Sequence, residues 1–276
     1  MKRSRKRRRE RSLLLSLSSL AVPIIIANVL QSAYQLIDAY WVGRLGSAAV
    51  AAVSVSFPMI FLLVAIGGGL AIAGSALIAQ YEGAKDHRMV NHVAAQTLLL
   101  ISGVSIALSV VGWFFSPHIL SLMGVDRVVF ADALGFMRVS FAGLIFVFGF
   151  IMFQSIMRGV GDVTMPLIIV FGTVVLNFLL DPLLIFGWNG IPGFGVTGSA
   201  MATFITQAIA MGIGLAIMFR GRHAIRLRVS YFKPDLAFMK KAFLLGFPAS
   251  VEQSARALGV MIMVFLVASF GTVAVA

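Results

Sequence analysis

Apolar residues recur along the chain in blocks separated by short polar breaks, from residue 13 to the carboxyl end. The blocks 13–40, 48–80, 90–115, 131–157, 163–188, 195–219 and 238–276 are each long enough for a helix across roughly 30 Å of hydrocarbon. None alternates with the period of two that a membrane β-barrel needs. The pattern therefore predicts an all-α polytopic membrane protein: six spans in one bundle, then a seventh.

Polar residues inside these blocks fall on helical stripes. On the first span Asn28, Gln31, Gln35 and Asp38 share one face, with Tyr34 one turn before Asp38. On the fifth, Thr173, Asn177 and Asp181 lie at i, i+4 and i+8, stacked over about 12 Å. The sixth carries Ser199, Thr203 and Gln207 at the same intervals. A charged side chain at the bilayer centre costs on the order of 2.5–3.5 kcal/mol, so such residues face a cavity or a partner. Asp38 and Asp181 each end a helix running in one direction, and Ser199 and Thr203 begin one running back. All three stripes are thus predicted at one end of the bundle, as a polar chamber. Two neighbouring carboxylates of low dielectric tend to share a proton, and oxygen donors of this kind suit Na⁺ at Asp38, Asn177, Asp181 and Thr203. Pro23, on the same helix as Asp38, removes a backbone hydrogen bond and permits that helix to bend.

Composition agrees with the pattern: 60% hydrophobic, 12% charged and a mean hydropathy of +1.00. The net charge of +12 invites a nucleic-acid reading. Its placement argues otherwise and predicts no nucleic-acid partner. Eight Lys/Arg lie at 2–11, two in 82–92, one at Arg158 and seven in 220–241, whereas Arg44, Arg127 and Arg138 lie at the opposite ends of the spans. That asymmetry predicts a cytoplasmic amino terminus, with attraction to anionic membrane lipid as an addition. The first apolar run is too long for a signal peptide and is read as span 1. Cysteine is absent, which excludes disulfides and thiolate chemistry.

The predicted organisation is a basic cytoplasmic segment at 1–12, a six-span lobe at 13–220, a basic cytoplasmic linker at 221–237, and span 7 at 238–276. Span 7 resembles span 1: LAVP (20–23) matches LGFP (245–248), and sliding by 225 residues lays LGSAAVA (45–51) on FGTVAVA (270–276). An even number of intervening spans makes these parallel repeats, so a second lobe is expected after span 7. Gly67, Ala71 and Ser75 on span 2 read as a helix-packing face. Glu252 and Arg256 read as an i, i+4 ion pair, and His87 and His92 as members of a solvated loop. RGVGD (158–162) contains a Gly-x-Gly-Asp string used by intramembrane aspartyl proteases. Asp162 is predicted at the face opposite Asp38 and Asp181, about 30 Å away, too far for a catalytic pair.

Five stretches together resemble the multidrug and toxic compound extrusion (MATE) family. They are DAYWVGRLGSAAVAAVSVSFP after Pro23, GSALIAQYEGAKD (74–86), MRGVGDVTMP (157–166), NFLLDPLLIFG (177–187) and GVTGSAMATFITQ (195–207). The resemblance implies one lobe of a twelve-span antiporter, not an enzyme, exporting small organic and often cationic compounds by alternating access. It implies H⁺ or Na⁺ as coupling ion, no cofactor, and a prokaryotic plasma membrane. The resemblance places the cation or proton site on Asp38, Tyr34 and Gln31, on Asn177 and Asp181, and on Thr203, with Pro23 as the bending residue. Two rivals share parts of this pattern. A lipid-linked oligosaccharide flippase of related fold requires a cationic chamber, and a non-transporting scaffold requires no titratable pair.

Overall fold

The computed structural model describes residues 2–188, 190–221 and 225–268, so the repeat copy at 270–276 and positions 222–224 of the basic segment lie outside the described residues. Among the described residues seven α-helices follow one another: α1 Lys2–Gly43, α2 Ser47–Gly83, α3 His87–Leu122, α4 Arg127–Gly159, α5 Thr164–Phe186, α6 Val196–Arg220 and α7 Leu236–Ala268. Six of the described stretches are long and apolar enough to cross a membrane, the first being Ala21–Gly43. The basic run is helical and continuous with that span. A two-residue antiparallel ladder, Gly187–Trp188 with Ile191–Pro192, turns the chain between α5 and α6.

Helices dominate because a backbone in hydrocarbon must satisfy its own hydrogen bonds. Acidic residues mark several starts. Asp86 accepts from the Met89 amide at 3.0 Å, Asp126 from Val128 at 3.2 Å, and Asp162 from Thr164 and Met165 at 3.1 and 3.2 Å. Asp162 of the RGVGD motif is therefore an end-cap for α5, and Gly161 supplies the positive φ of 82° that turns the chain there.

α4 is the central post, packed against α2, α3 and α6, while α7 packs on α2 and α1 on α5. Small residues permit the close approaches. A Cβ on Gly67 would stand 2.8 Å from the Phe148 ring, and Ser155 donates to the Ala71 carbonyl, so the predicted packing face of α2 meets α4. Gly69 lies against the Ser250 backbone of α7. Among the described residues α1 makes no packing contact with α4. The space between them, walled by α2 and α6, is the interior chamber.

The segment after α6 is not a loose tether. Ile225 and Leu227 are buried, and Arg226 donates its amide to Asn91 of α3 at 2.7 Å. Gln96, fully buried on α3, donates to the Tyr231 and Lys233 carbonyls, both at 2.8 Å, and accepts from the Asp235 amide at 2.9 Å. His92 faces Asp235 at 3.3 Å and packs edge-on to Phe238. The expectation of a solvated histidine loop is corrected for His92: both histidines lie in α3, His87 exposed at its first position while His92 helps hold the strap that leads to α7.

Candidate functional site: a chamber with a buried carboxyl pair

The chamber has a volume of about 390 Å³, within the range that holds a drug-sized molecule. α1 lines it with Pro23, Asn28, Gln31, Tyr34, Gln35 and Asp38, all members of the predicted stripe or its bend. Thr203 and Gln207 of α6 face it from across, beside Phe204. The spacing of 3.6 residues per turn is what delivers these side chains to one wall.

Asp38 is the hub. Its Oδ2 accepts from the Thr203 hydroxyl at 3.5 Å. The Tyr34 hydroxyl donates to Thr203 at 3.2 Å and shares a 2.8 Å hydrogen bond with Thr206. Thr206 in turn donates to the Thr203 carbonyl at 3.0 Å, which orients its oxygen toward Tyr34. Behind this wall sit Asn177 and Asp181, both fully buried, with the Asn177 amide donating to Asp181 at 3.3 Å. Asp38 stands beside Asp181 and Asn177, near enough to interact electrostatically with them. Two carboxyls, an amide and a hydroxyl from α1, α5 and α6 thus meet at one point.

Three oxygens at that point, Asp38 Oδ1, Asn177 Oδ1 and Asp181 Oδ2, are buried without a hydrogen-bond partner among the described residues. A buried anionic oxygen left unpaired is costly, and a proton or a small cation relieves it. The donor set is all oxygen, as a hard cation prefers. Thr173, the third member of the α5 stripe, spends its hydroxyl on the Val170 carbonyl at 2.7 Å and adds nothing.

Thr206 and the pair Gln154 and Arg158 were not anticipated as site residues. Thr206 lies off the Ser199, Thr203 and Gln207 register by one position, so a strict i+4 rule passes over it. Gln154 and Arg158 line the chamber at the far end of α4, where Arg158 reads from sequence as a topology-setting charge. Asp162 caps α5 at its beginning, and Asp181 stands 19 residues later on the same helix, about 28 Å away. That distance leaves no dyad for an aspartyl protease. Among the described residues Arg158 is the one basic residue in the chamber lining, which does not favour the flippase alternative. Glu252 and Arg256 pair at 2.8 Å as their spacing predicts.

Known proteins share this sequence pattern and this fold. The MatE family profile matches residues 23–183. The "Probable multidrug resistance protein YoeA" of Bacillus subtilis strain 168 is 33% identical over 265 residues, which are 95% of this chain and 57% of that protein. The multidrug export protein MepA of Staphylococcus saprophyticus is 27% identical over 259 residues, 93% of this chain and 56% of its own. The solved outward-facing conformation of a multidrug resistance MATE family transporter of the MOP superfamily superposes with a TM-score of 0.84 at 25% identity, over 91% of this chain and 55% of that one. A MOP superfamily transporter from Pyrococcus furiosus gives 0.85 at 25%, over 94% and 57%. The chain spans about half the length of the relatives it matches. A polar stripe around a carboxyl pair, in a six-helix membrane bundle whose residues 23–183 match the family along α1 to α5, has one consistent assignment: this chain belongs to the MatE family of multidrug and toxic compound extrusion transporters, which are not enzymes.

Proposed function

We propose that the chain is the amino-terminal lobe, with the first helix of a second lobe, of a secondary antiporter. It exports small organic, often cationic, compounds in exchange for H⁺ or Na⁺, with its amino terminus in the cytoplasm of a prokaryotic cell. The observation that carries this reading is the convergence of Asp38 and Asp181 with unpaired buried oxygens behind a chamber of ligand size. A proton or Na⁺ entering between Asp38, Asp181 and Asn177, with Thr203 and Tyr34 beside them and Gln31 in the chamber wall one turn away, neutralises the pair. α1 then loses its reason to hold Asp38 where it is. Because Pro23 interrupts the hydrogen-bond ladder lower on that helix, α1 bends there and narrows the chamber. Ion and compound therefore favour different states of one helix, and that differential affinity is the coupling. Domain limits of 13–220 for the lobe, 221–237 for the strap and 238 onward for the second lobe complete the proposal.

The test is efflux by the full-length product in inside-out vesicles under separately imposed proton and sodium gradients. Asp38→Asn and Asp181→Asn keep size and a carbonyl oxygen but neither titrate nor carry charge. Each is expected to abolish gradient-driven efflux of an organic cation, with membrane insertion intact. Gradient-driven transport at the wild-type rate by the double mutant would make the pair structural and end this assignment.

A further inference from the structure

Val139, Ser140 and Gly143 of α4 line the chamber, which leaves Arg138 on another face of that helix. Its guanidinium lies 5.5 Å over the Trp113 ring of α3. The register of this contact is fixed one turn deeper, where Ser109 donates to the Phe141 carbonyl at 2.6 Å and Gly112 makes room for the Phe141 ring. Depth in the membrane follows from the sequence. Residues 139–157 carry no charged side chain and end at Arg158. At 1.5 Å per residue the two arginines stand about 30 Å apart, the thickness of the hydrocarbon layer. Arg138 is therefore at the boundary with the lipid headgroups, a level where tryptophan also concentrates.

Among the described residues no carboxylate pairs with Arg138. Asp126, at the same end of α4, is spent on the Val128 amide, and Asp132 is exposed. Arg138 Nε is enclosed by protein without an acceptor, so the two terminal nitrogens are the donors left for a partner. Two apolar rows lead from here toward the bilayer centre. Val110 and Ile106 continue the Trp113 face of α3 and are exposed, and Ala142 and Ile145 continue the Arg138 face of α4 and are partly exposed.

We infer that Arg138 and Trp113 hold the phosphate of an anionic phospholipid, with an acyl chain laid along these two rows. The terminal nitrogens of a guanidinium match two phosphate oxygens, and an unpaired positive charge favours a lipid of net negative charge over a zwitterionic one. The Trp113 face holds the guanidinium and leaves its edge open. An arginine that only snorkels keeps its donors in water, whereas here Nε is enclosed and the group is held in place. The site lies outside the chamber and is independent of ion coupling.

Brominated lipids quench tryptophan on contact and test the site on the full-length product in phosphatidylcholine nanodiscs. The Trp113 signal is the difference between the unaltered protein and Trp113→Phe. A minor fraction of phosphatidylglycerol, brominated high on its acyl chains, is expected to quench that signal about fivefold more effectively than the same fraction of brominated phosphatidylcholine. Arg138→Gln is expected to bring this ratio to about one, and Arg138→Lys, which keeps the charge without the fork, to about two. Equal quenching by the two lipids in the unaltered protein overturns the site, as does a full preference that survives in either variant. Loss of the preference in excess inorganic phosphate would assign Arg138 to a soluble anion and overturn the lipid.

Discussion

At the scale of single residues, the Tyr34 hydroxyl joins α1 to α6 by bonding both Thr203 and Thr206. Thr203 in turn holds Asp38, so Tyr34 acts on the carboxyl pair through one intermediary. Tyr34→Phe removes the hydroxyl and keeps the ring. A net loss of about 1 kcal/mol per hydrogen bond corresponds to roughly a fivefold weakening. The ion concentration for half-maximal efflux should therefore rise about fivefold in Thr206→Val, which removes one of the two Tyr34 bonds, and further in Tyr34→Phe, which removes both. The double variant should cost no more than Tyr34→Phe alone, since that change already removes the Tyr34–Thr206 bond. Full additivity in vesicle efflux would show that the two side chains act independently. Asp162 illustrates the opposite case: a motif suggestive of catalysis resolves into two backbone amides and a helix start.

Elements meet where glycine removes a side chain. Gly68 and Gly69 are neighbours in sequence with opposite surroundings. A Cβ on Gly68 meets nothing within 4 Å, whereas one on Gly69 runs into the Ser250 backbone of α7. Ser250 also donates to the Ile66 carbonyl at 2.9 Å, tying α7 to the same turn of α2. Overpacking a tight contact costs about 1–3 kcal/mol. Gly69→Ala should thus lower thermal stability in detergent by a clear margin, while Gly68→Ala should leave it within error. Equal melting temperatures for the two variants would remove the α2–α7 contact from the account. The strap is the second junction of this kind. Gln96 satisfies three backbone groups of the segment 231–235 from inside α3, so α7 leaves the lobe from an anchored point.

For the whole molecule, the distribution of Lys and Arg predicts which end of the bundle faces the cytoplasm. The chain has no cysteine, so single substitutions carry no background. In intact cells a membrane-impermeant maleimide should label Ser47→Cys, at the α1–α2 turn, and leave Lys85→Cys, at the α2–α3 turn, unmodified. Labelling of Lys85→Cys with Ser47→Cys protected would invert the orientation.

Sequence by itself determined that the chain is a helical membrane bundle, because hydrophobic blocks of span length admit no other solution when the backbone cannot bond to lipid. The polar stripes on α1, α5 and α6 were legible for a similar reason: helical periodicity is local, and an acid in an apolar run demands an explanation. What no local rule supplies is which individual side chains touch across the helices. Helix direction had already put the stripes of α1, α5 and α6 at one end of the bundle; tertiary structure gave the contacts between them, added Thr206 from beside the register, and placed Arg158 in the chamber wall. It also turned a basic linker into a strap, since the buried amide of Gln96 acquires its meaning only from carbonyls 135 and 137 residues away. Long-range pairing of polar groups depends on how helices pack, and packing depends on small residues whose partners lie on other helices.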